Sequence, residues 1–185
     1  MEDKRIVELY WQRDEKAIDE TQLKYGRLCY SIAYNILRVR EDSEECVNDT
    51  YLNAWNSMPP QRPNNLAAFL AALTRCNALD AWRKKKAQRR TEDSVALTLE
   101  ELSECLPEET AIEKLTRERL AEAINSFLEE LGEEERNFFI RRYWYFNSVP
   151  EISKVYGVGE SKVRMRLMRT RNKLAAHLEK EGITV

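Results

Sequence analysis

The chain has 185 residues, 43% of them hydrophobic, with 30 basic against 32 acidic side chains, enough for one domain or two small ones around a real core. No run of about 18 apolar residues is present to span a bilayer, and the opening MEDKRIVELYWQRDEK lacks the apolar centre of a signal peptide, which predicts a cytoplasmic protein. The near-zero net charge hides segregation: residues 1–90 carry 16 basic and 13 acidic side chains, 91–135 carry 3 and 15, and 136–185 carry 11 and 4.

Five glycines and five prolines leave few breaks, and the long segments keep a 3.6-residue apolar period with none at two, which predicts an all-α protein. Helices are expected at 2–13, 15–38, 42–57, 66–88, 111–131, 133–145, 149–156 and 160–180. Residues 91–110, TEDSVALTLEELSECLPEET, read as an acidic linker with one short helical turn. Two small helical domains, 1–90 and 111–185, follow, and two basic patches parted by an acidic stretch point to two separate nucleic-acid contacts.

In the first domain Tyr25, Leu28, Cys29, Ile32, Ala33, Ile36 and Leu37 recur at helical spacing, as do Val47, Tyr51, Ala54, Trp55 and Met58. These are core positions, the aromatic ones included. Asp42, Glu45 and Asp49 fall three and four apart, so their carboxylates share the other side of the same helix.

Between the third and fourth helices lies MPPQRPNN, residues 58–65. It is either a stiff connector in which Asn64 or Asn65 caps the next helix, or a preshaped loop whose amides read an unstacked base. The fourth helix begins apolar, with Leu66, Phe69, Leu70 and Leu73. It then passes through Asn77, Asp80 and Trp82 into RKKKAQRR, six cations in residues 83–90, more than capping a helix C-terminus needs. Such a cluster suits phosphates and makes binding salt-dependent.

Residues 149–174, VPEISKVYGVGESKVRMRLMRTRNKL, read as a helix-turn-helix. Ile152, Val155 and Tyr156 give the first helix an apolar face, Gly157 stands where a helix end takes a left-handed residue, and Glu160 or Ser161 opens the second helix. There Val163, Leu167, Thr170 and Leu174 form the core stripe. Ser161, Lys162, Met165, Met168, Arg169 and Asn172 face away, flanked by Arg164, Arg166, Arg171 and Lys173, a surface suited to a major groove between phosphates.

Three stretches together resemble the sigma-70 family, specifically its compact extracytoplasmic-function group, which keeps only the second and fourth conserved regions. DSEECVNDTYLNAW (42–55) resembles the acidic helix that docks on the polymerase clamp. FLAALTRCNALDAWRKKKAQRR (69–90) resembles the promoter-melting helix, with Asn77, Asp80 and Arg83 matching its N-x-x-D-x-x-R pattern. VGESKVRMRLMRTRNKL (158–174) resembles the helix-turn-helix that reads the minus-35 element. The chain departs from the usual pattern at Cys46, Val47 and Asn48 and at Trp82, where an aliphatic residue is commoner.

The resemblance implies an alternative sigma factor that binds core RNA polymerase, through the clamp helices of its largest subunit and the flap of its second-largest, and directs initiation at particular promoters. It assigns polymerase docking to Asp42, Glu45 and Asp49. The melted minus-10 strand falls to Asn64, Asn65, Asn77, Asp80, Arg83, Lys84 and Lys85. Minus-35 duplex falls to Ser161, Lys162, Arg164, Met165, Arg166, Arg169 and Arg171, with Arg141, Arg142 and Arg171 on phosphates, and the acidic linker threads toward the active-site channel. An anti-sigma factor is implied as a further partner.

Neither a catalytic site nor a small-molecule substrate is expected, since HExxH, P-loop and histidine-cluster motifs are absent. No metal or cofactor is expected either: Cys29, Cys46, Cys76 and Cys105 lack ligand spacing and His177 is the lone histidine. A stand-alone helix-turn-helix regulator is the alternative; it calls for a dimer seam or a sensor domain, and neither is evident.

Overall fold

The computed structural model describes residues 1–86, 94–103, 106 and 114–183, apart from the side chains of Lys86, Ser94 and residues 114–118. The described residues are helical and include no strand. They divide into two compact units, Met1–Thr91 and Glu92–Val185.

The first unit comprises α1 (Asp3–Trp11), α2 (Lys16–Leu37), α3 (Arg40–Ser57) and α4 (Leu66–Lys86). Helices α2, α3 and α4 pack on one another and α1 packs on α2. Cys29, Ile32, Ala33 and Ile36 of α2, Cys46, Val47, Tyr51 and Ala54 of α3, and Leu66, Leu70 and Ala78 of α4 are buried. Removing that apolar surface from water drives the assembly, at roughly 25 cal/mol per Å². Tyr25, Leu28, Leu37 and Trp55, expected in the core, are only partly buried. The Trp55 ring stands edge-on to Tyr10 at 6.2 Å, with the Arg13 guanidinium 5.2 Å above it.

The seam between α3 and α4 is polar and satisfied. Thr50 donates to the Cys46 carbonyl and Thr74 to the Leu70 carbonyl, both at 2.8 Å, and the two hydroxyl oxygens lie 3.2 Å apart. Thr21 likewise donates to the Ala17 carbonyl at 2.7 Å, which leaves the Tyr10 phenol to donate to Thr21 Oγ1 at 2.9 Å. Gly26 lets α2 approach α3 closely: a Cβ there would sit 3.2 Å from Tyr51 Oη, which would have to yield by a few tenths of an ångström.

The second unit comprises α5 (Ser94–Ser103), α6 (Lys114–Glu130), α7 (Glu133–Phe139), α8 (Val149–Tyr156) and α9 (Glu160–Lys180). Its core gathers Ala123, Phe127, Leu131, Phe138, Phe139, Tyr143, Ile152, Val163, Leu167, Leu174 and Leu178. Phe139 meets Phe127 at 6.3 Å and Tyr143 at 4.7 Å, in the tilted arrangements aromatic rings prefer.

Two expectations change here. The single turn foreseen in 91–110 is a ten-residue helix, α5. Its period is carried by Val95 and Thr98, both buried, and Leu102, partly buried; one of the three is a threonine, too faint a pattern to stand out in the sequence. The helix expected at 133–145 ends as an α-helix at Phe139 and continues as a π turn, Ile140–Trp144. Other expected boundaries agree to within a few residues wherever they fall on described residues.

Candidate nucleic-acid interface

In the first unit the basic end of α4 and the acidic side of α3 share one open cleft, lined by Asp42, Glu45, Asp49, Asn77, Asp80, Ala81, Lys84 and Lys85. Lys85 Nζ pairs with an Asp42 carboxylate oxygen. Glu45, Asp49, Asp80, Arg83, Lys84 and Lys85 are exposed; Asp80 and Arg83 approach to 3.4 Å one turn apart. Of the cationic run, Lys86 is described only in its backbone, and Arg89 and Arg90 lie outside the described residues.

Asn77 makes contacts that its spacing does not foretell. Its Oδ1 accepts from Asn53 Nδ2 at 2.9 Å and its Nδ2 donates to Thr50 Oγ1 at 3.5 Å. The amide thus links α4 to α3 while Asn77, partly buried, still lines the open cleft beside Asp80 and Lys84.

The 58–65 loop divides its two asparagines. Asn65 is the cap: its Oδ1 accepts from the Ala68 amide at 3.0 Å, and its carbonyl accepts from the Phe69 amide at 3.1 Å, satisfying donors the helix start leaves orphaned. Asn64 is exposed and lines a cleft with Arg62, Pro63 and the start of α1. The loop is strapped to α1: Arg62 pairs with Glu8, its guanidinium lies 5.1 Å from the Trp11 ring, and Trp11 Nε1 donates to the Gln61 carbonyl at 3.2 Å. Sequence reasoning misses Glu8 and Trp11, because their partners lie some fifty residues away in the chain.

In the second unit the helix-turn-helix is specified locally. Ser148 and Glu151 form a reciprocal capping box at the start of α8, with Pro150 in the first turn. Gly157 ends α8 at φ +63°, a left-handed conformation that glycine adopts without steric cost. The Val158 amide donates to the Ser153 carbonyl at 3.1 Å, and Ser153 Oγ donates back to the Val158 carbonyl at 2.5 Å. Helix α9 then starts at Glu160 behind Gly159. Val163, Leu167, Thr170 and Leu174 are at most 2% exposed. On the far side Ser161, Arg164, Met165, Met168, Arg169 and Asn172 face solvent.

Most cations of that helix are engaged. Lys162 meets Glu134 at 2.5 Å, Arg166 meets Glu135 at 3.2 Å and Glu134 at 3.7 Å, and Lys173 meets Glu135 at 2.7 Å. Arg164 pairs with Glu160 at 2.6 Å. The hydrogen bond from Lys173, with the Arg166 charge beside it, holds the Glu135 carboxyl below its ordinary value despite partial burial.

Arg171 donates to Tyr143 Oη at 2.8 Å and lies 3.7 Å from Glu101. Arg142 corrects the expectation of a phosphate contact. It is 7% exposed and grips Glu101 of α5 through Nε at 3.2 Å and Nη2 at 3.0 Å, a fork-to-carboxylate bond that docks α5 inside the unit. Tyr143 Oη also donates to Glu101, at 3.2 Å, and burial pushes that phenol up to about 12. Arg141 is half-buried against the Tyr156 ring, 5.6 Å from its centroid.

Among the described residues no cluster of histidine, cysteine, aspartate and glutamate is placed to hold a metal, and no helix is long and apolar enough to cross a membrane.

Residues 23–88 match the family model for sigma-70 region 2. Among solved structures, CnrH in complex with the cytosolic domain of CnrY is similar at 20% identity, covering 96% of this chain and 97% of that one, with a TM-score of 0.44. The sigma factor RpoE in complex with the anti-sigma factor NepR from Bartonella quintana is similar at 18% identity, covering 89% and 98%, with a TM-score of 0.40. No curated protein matches the chain.

Proposed function

We propose that this chain, whose residues 23–88 match sigma-70 region 2, acts as an alternative sigma factor of the compact extracytoplasmic-function kind: it joins core RNA polymerase and directs initiation at particular promoters. In this reading 1–90 is region 2 and 111–185 is region 4; α5 is held within the second unit through Glu101 and Arg142, and it is the acidic stretch beside α5 that threads toward the polymerase channel. The observation that carries it is the pairing, in one chain, of a match to region 2 over residues 23–88, with a cationic end on α4, and a separately folded helix-turn-helix whose first helix is closed by a capping box and by Gly157.

The mechanism follows from charge and geometry. Exposed Glu45 and Asp49, with Asp42 at the cleft, present carboxylates to cationic clamp helices of the largest polymerase subunit. Arg83, Lys84 and Lys85 hold phosphates of the opened minus-10 strand, releasing counterions, while Asn64 on its strapped loop meets an extruded base. Flipping that base costs a few kcal/mol, offset by pocket contacts and backbone charge, so opening needs no ATP. Helix α9 enters the minus-35 major groove, and the second unit rests on the flap of the second-largest subunit. An anti-sigma factor, implied by the same resemblance, would cover the polymerase-facing surfaces.

The test is assembly followed by probing. The full chain and core polymerase should co-elute, and the complex on templates selected from genomic fragments should make thymines just upstream of the start permanganate-reactive. A chain that binds duplex alone and never associates with core enzyme is the stand-alone regulator instead.

A further inference from the structure

The cations of α9 are not equivalent. Lys162, Arg166 and Lys173 lie at i, i+4 and i+11, one flank of the helix, and all three are held by two carboxylates from the first turn of α7: Glu134 takes Lys162 and Arg166, and Glu135 takes Arg166 and Lys173. Glu135 is the anchor, its side chain only 13% exposed and set between both partners. Arg171 is turned the other way, to Tyr143 and Glu101, and Arg164 to Glu160. Among the described residues Arg169 is the one cation between 162 and 173 that makes no ion pair. It sits with Ser161, Met165, Met168 and Asn172 at i, i+4, i+7, i+8 and i+11, the stripe opposite the core, where Met165 and Met168 are 47% and 48% exposed.

We propose that the base edges are read by this central stripe, with Arg169 as the guanine-seeking residue and the two methionines on thymine methyls, and that Glu134 and Glu135 set specificity by holding Lys162, Arg166 and Lys173 away from the groove. The assignment rests on the reading of α9 as a minus-35 reader and narrows it. A guanidinium is worth most to recognition when it is free to offer its fork to guanine O6 and N7. One already bridging two carboxylates must lose them first, leaving a partly buried Glu135 uncompensated. The same carboxylates repel DNA phosphates, so the flank contributes little sequence-independent affinity.

The experiment selects active templates from a library randomised across the minus-35 window, using the full chain with core polymerase, and adds anisotropy of the full chain on an arbitrary duplex at several salt concentrations. Expected are loss of one selected guanine column with Arg169→Ala and an unchanged selection with Arg166→Ala. Expected too is a salt dependence steeper by about 1 to 2 in log–log slope with Glu135→Gln, which frees up to two cations; a merely structural glutamate would lower stability and leave that slope alone. Loss of a column with Arg166→Ala, its retention with Arg169→Ala, or an unchanged slope with Glu135→Gln overturns the assignment. A wild-type selection with no column at all overturns it together with the reading of α9 beneath it.

Discussion

Asp42 on α3 and Lys85 near the end of α4, assigned from sequence to two different partners, form an ion pair across the mouth of one cleft. The putting-together of opposite charges at that spot leaves Glu45 and Asp49 as the carboxylates on this side of α3 that make no ion pair among the described residues. Charge reversal at Glu45 or Asp49 is therefore expected to weaken association with core polymerase by about tenfold, ~1.4 kcal/mol, without changing the unfolding midpoint. Lys85→Met should change stability by less than about 1 kcal/mol, as exposed pairs do. Titration of labelled chain with core enzyme and urea unfolding separate the two effects.

Arg142 is buried against Glu101 and therefore structural. Glu101→Gln removes the charge that balances it, and with Glu101 itself about a third exposed the cost should be about 1–3 kcal/mol. Urea unfolding of the second unit measures it, and hydrogen exchange of α5 should lose its protection first. A variant as stable as the parent would show that α5 does not depend on this bond.

Gly157 carries the turn. Gly157→Ala places a Cβ in the left-handed region and should cost about 1–2 kcal/mol through backbone strain alone, since nothing lies within 4 Å of that position. Gly157→Asn should cost less. Thermal unfolding of the two variants side by side tests the order.

The thiols divide by burial. Burial raises Cys29, and raises Cys46 to about 12 with the nearby Asp49 and Glu45 carboxylates adding to it, while Cys76 is exposed. Only a thiolate alkylates. Cys76 should label with iodoacetamide at pH 8 in the folded chain, and Cys46 should stay unlabelled between pH 7 and 9 until denaturant is added; peptide mapping by mass spectrometry reads both.

Glu135 makes stability depend on pH in a defined direction. Its lowered value means the folded state binds fewer protons than the unfolded chain, so the contribution is complete above about pH 4.3, the ordinary glutamate value, and is lost as pH falls through the lower folded value. The difference in urea midpoint between parent and Glu135→Gln should be constant above that pH and shrink below it.

How much of this was legible in the sequence depends on distance along the chain. The turn at Gly157, the capping of α8 and the stripe Val163, Leu167, Thr170 and Leu174 are local, and their spacing sufficed. The acidic side of α3 and the cationic end of α4 were equally plain. What spacing does not carry is which charge meets which: the partners of Lys162, Arg166 and Lys173 lie 28, 31 and 38 residues away, and those of Arg142 and Trp11 lie 41 and 50 away. A wheel shows Arg166 and Arg169 as neighbours on one cationic surface; only packing against α7 separates them. For Asn77, periodicity places the side chain on a face of α4 but does not show that its amide also bonds Asn53 and Thr50 of α3.

The most direct measurement of the central claim is run-off transcription with core RNA polymerase on fragmented genomic DNA, with starts mapped by sequencing, comparing the full chain with Arg83→Ala/Lys84→Ala and Arg169→Ala variants. The account predicts discrete starts that require the full chain, with the α4 variant impaired in opening and the α9 variant altered in promoter choice. Starts that are identical with and without the chain, or insensitive to both variants, would contradict it.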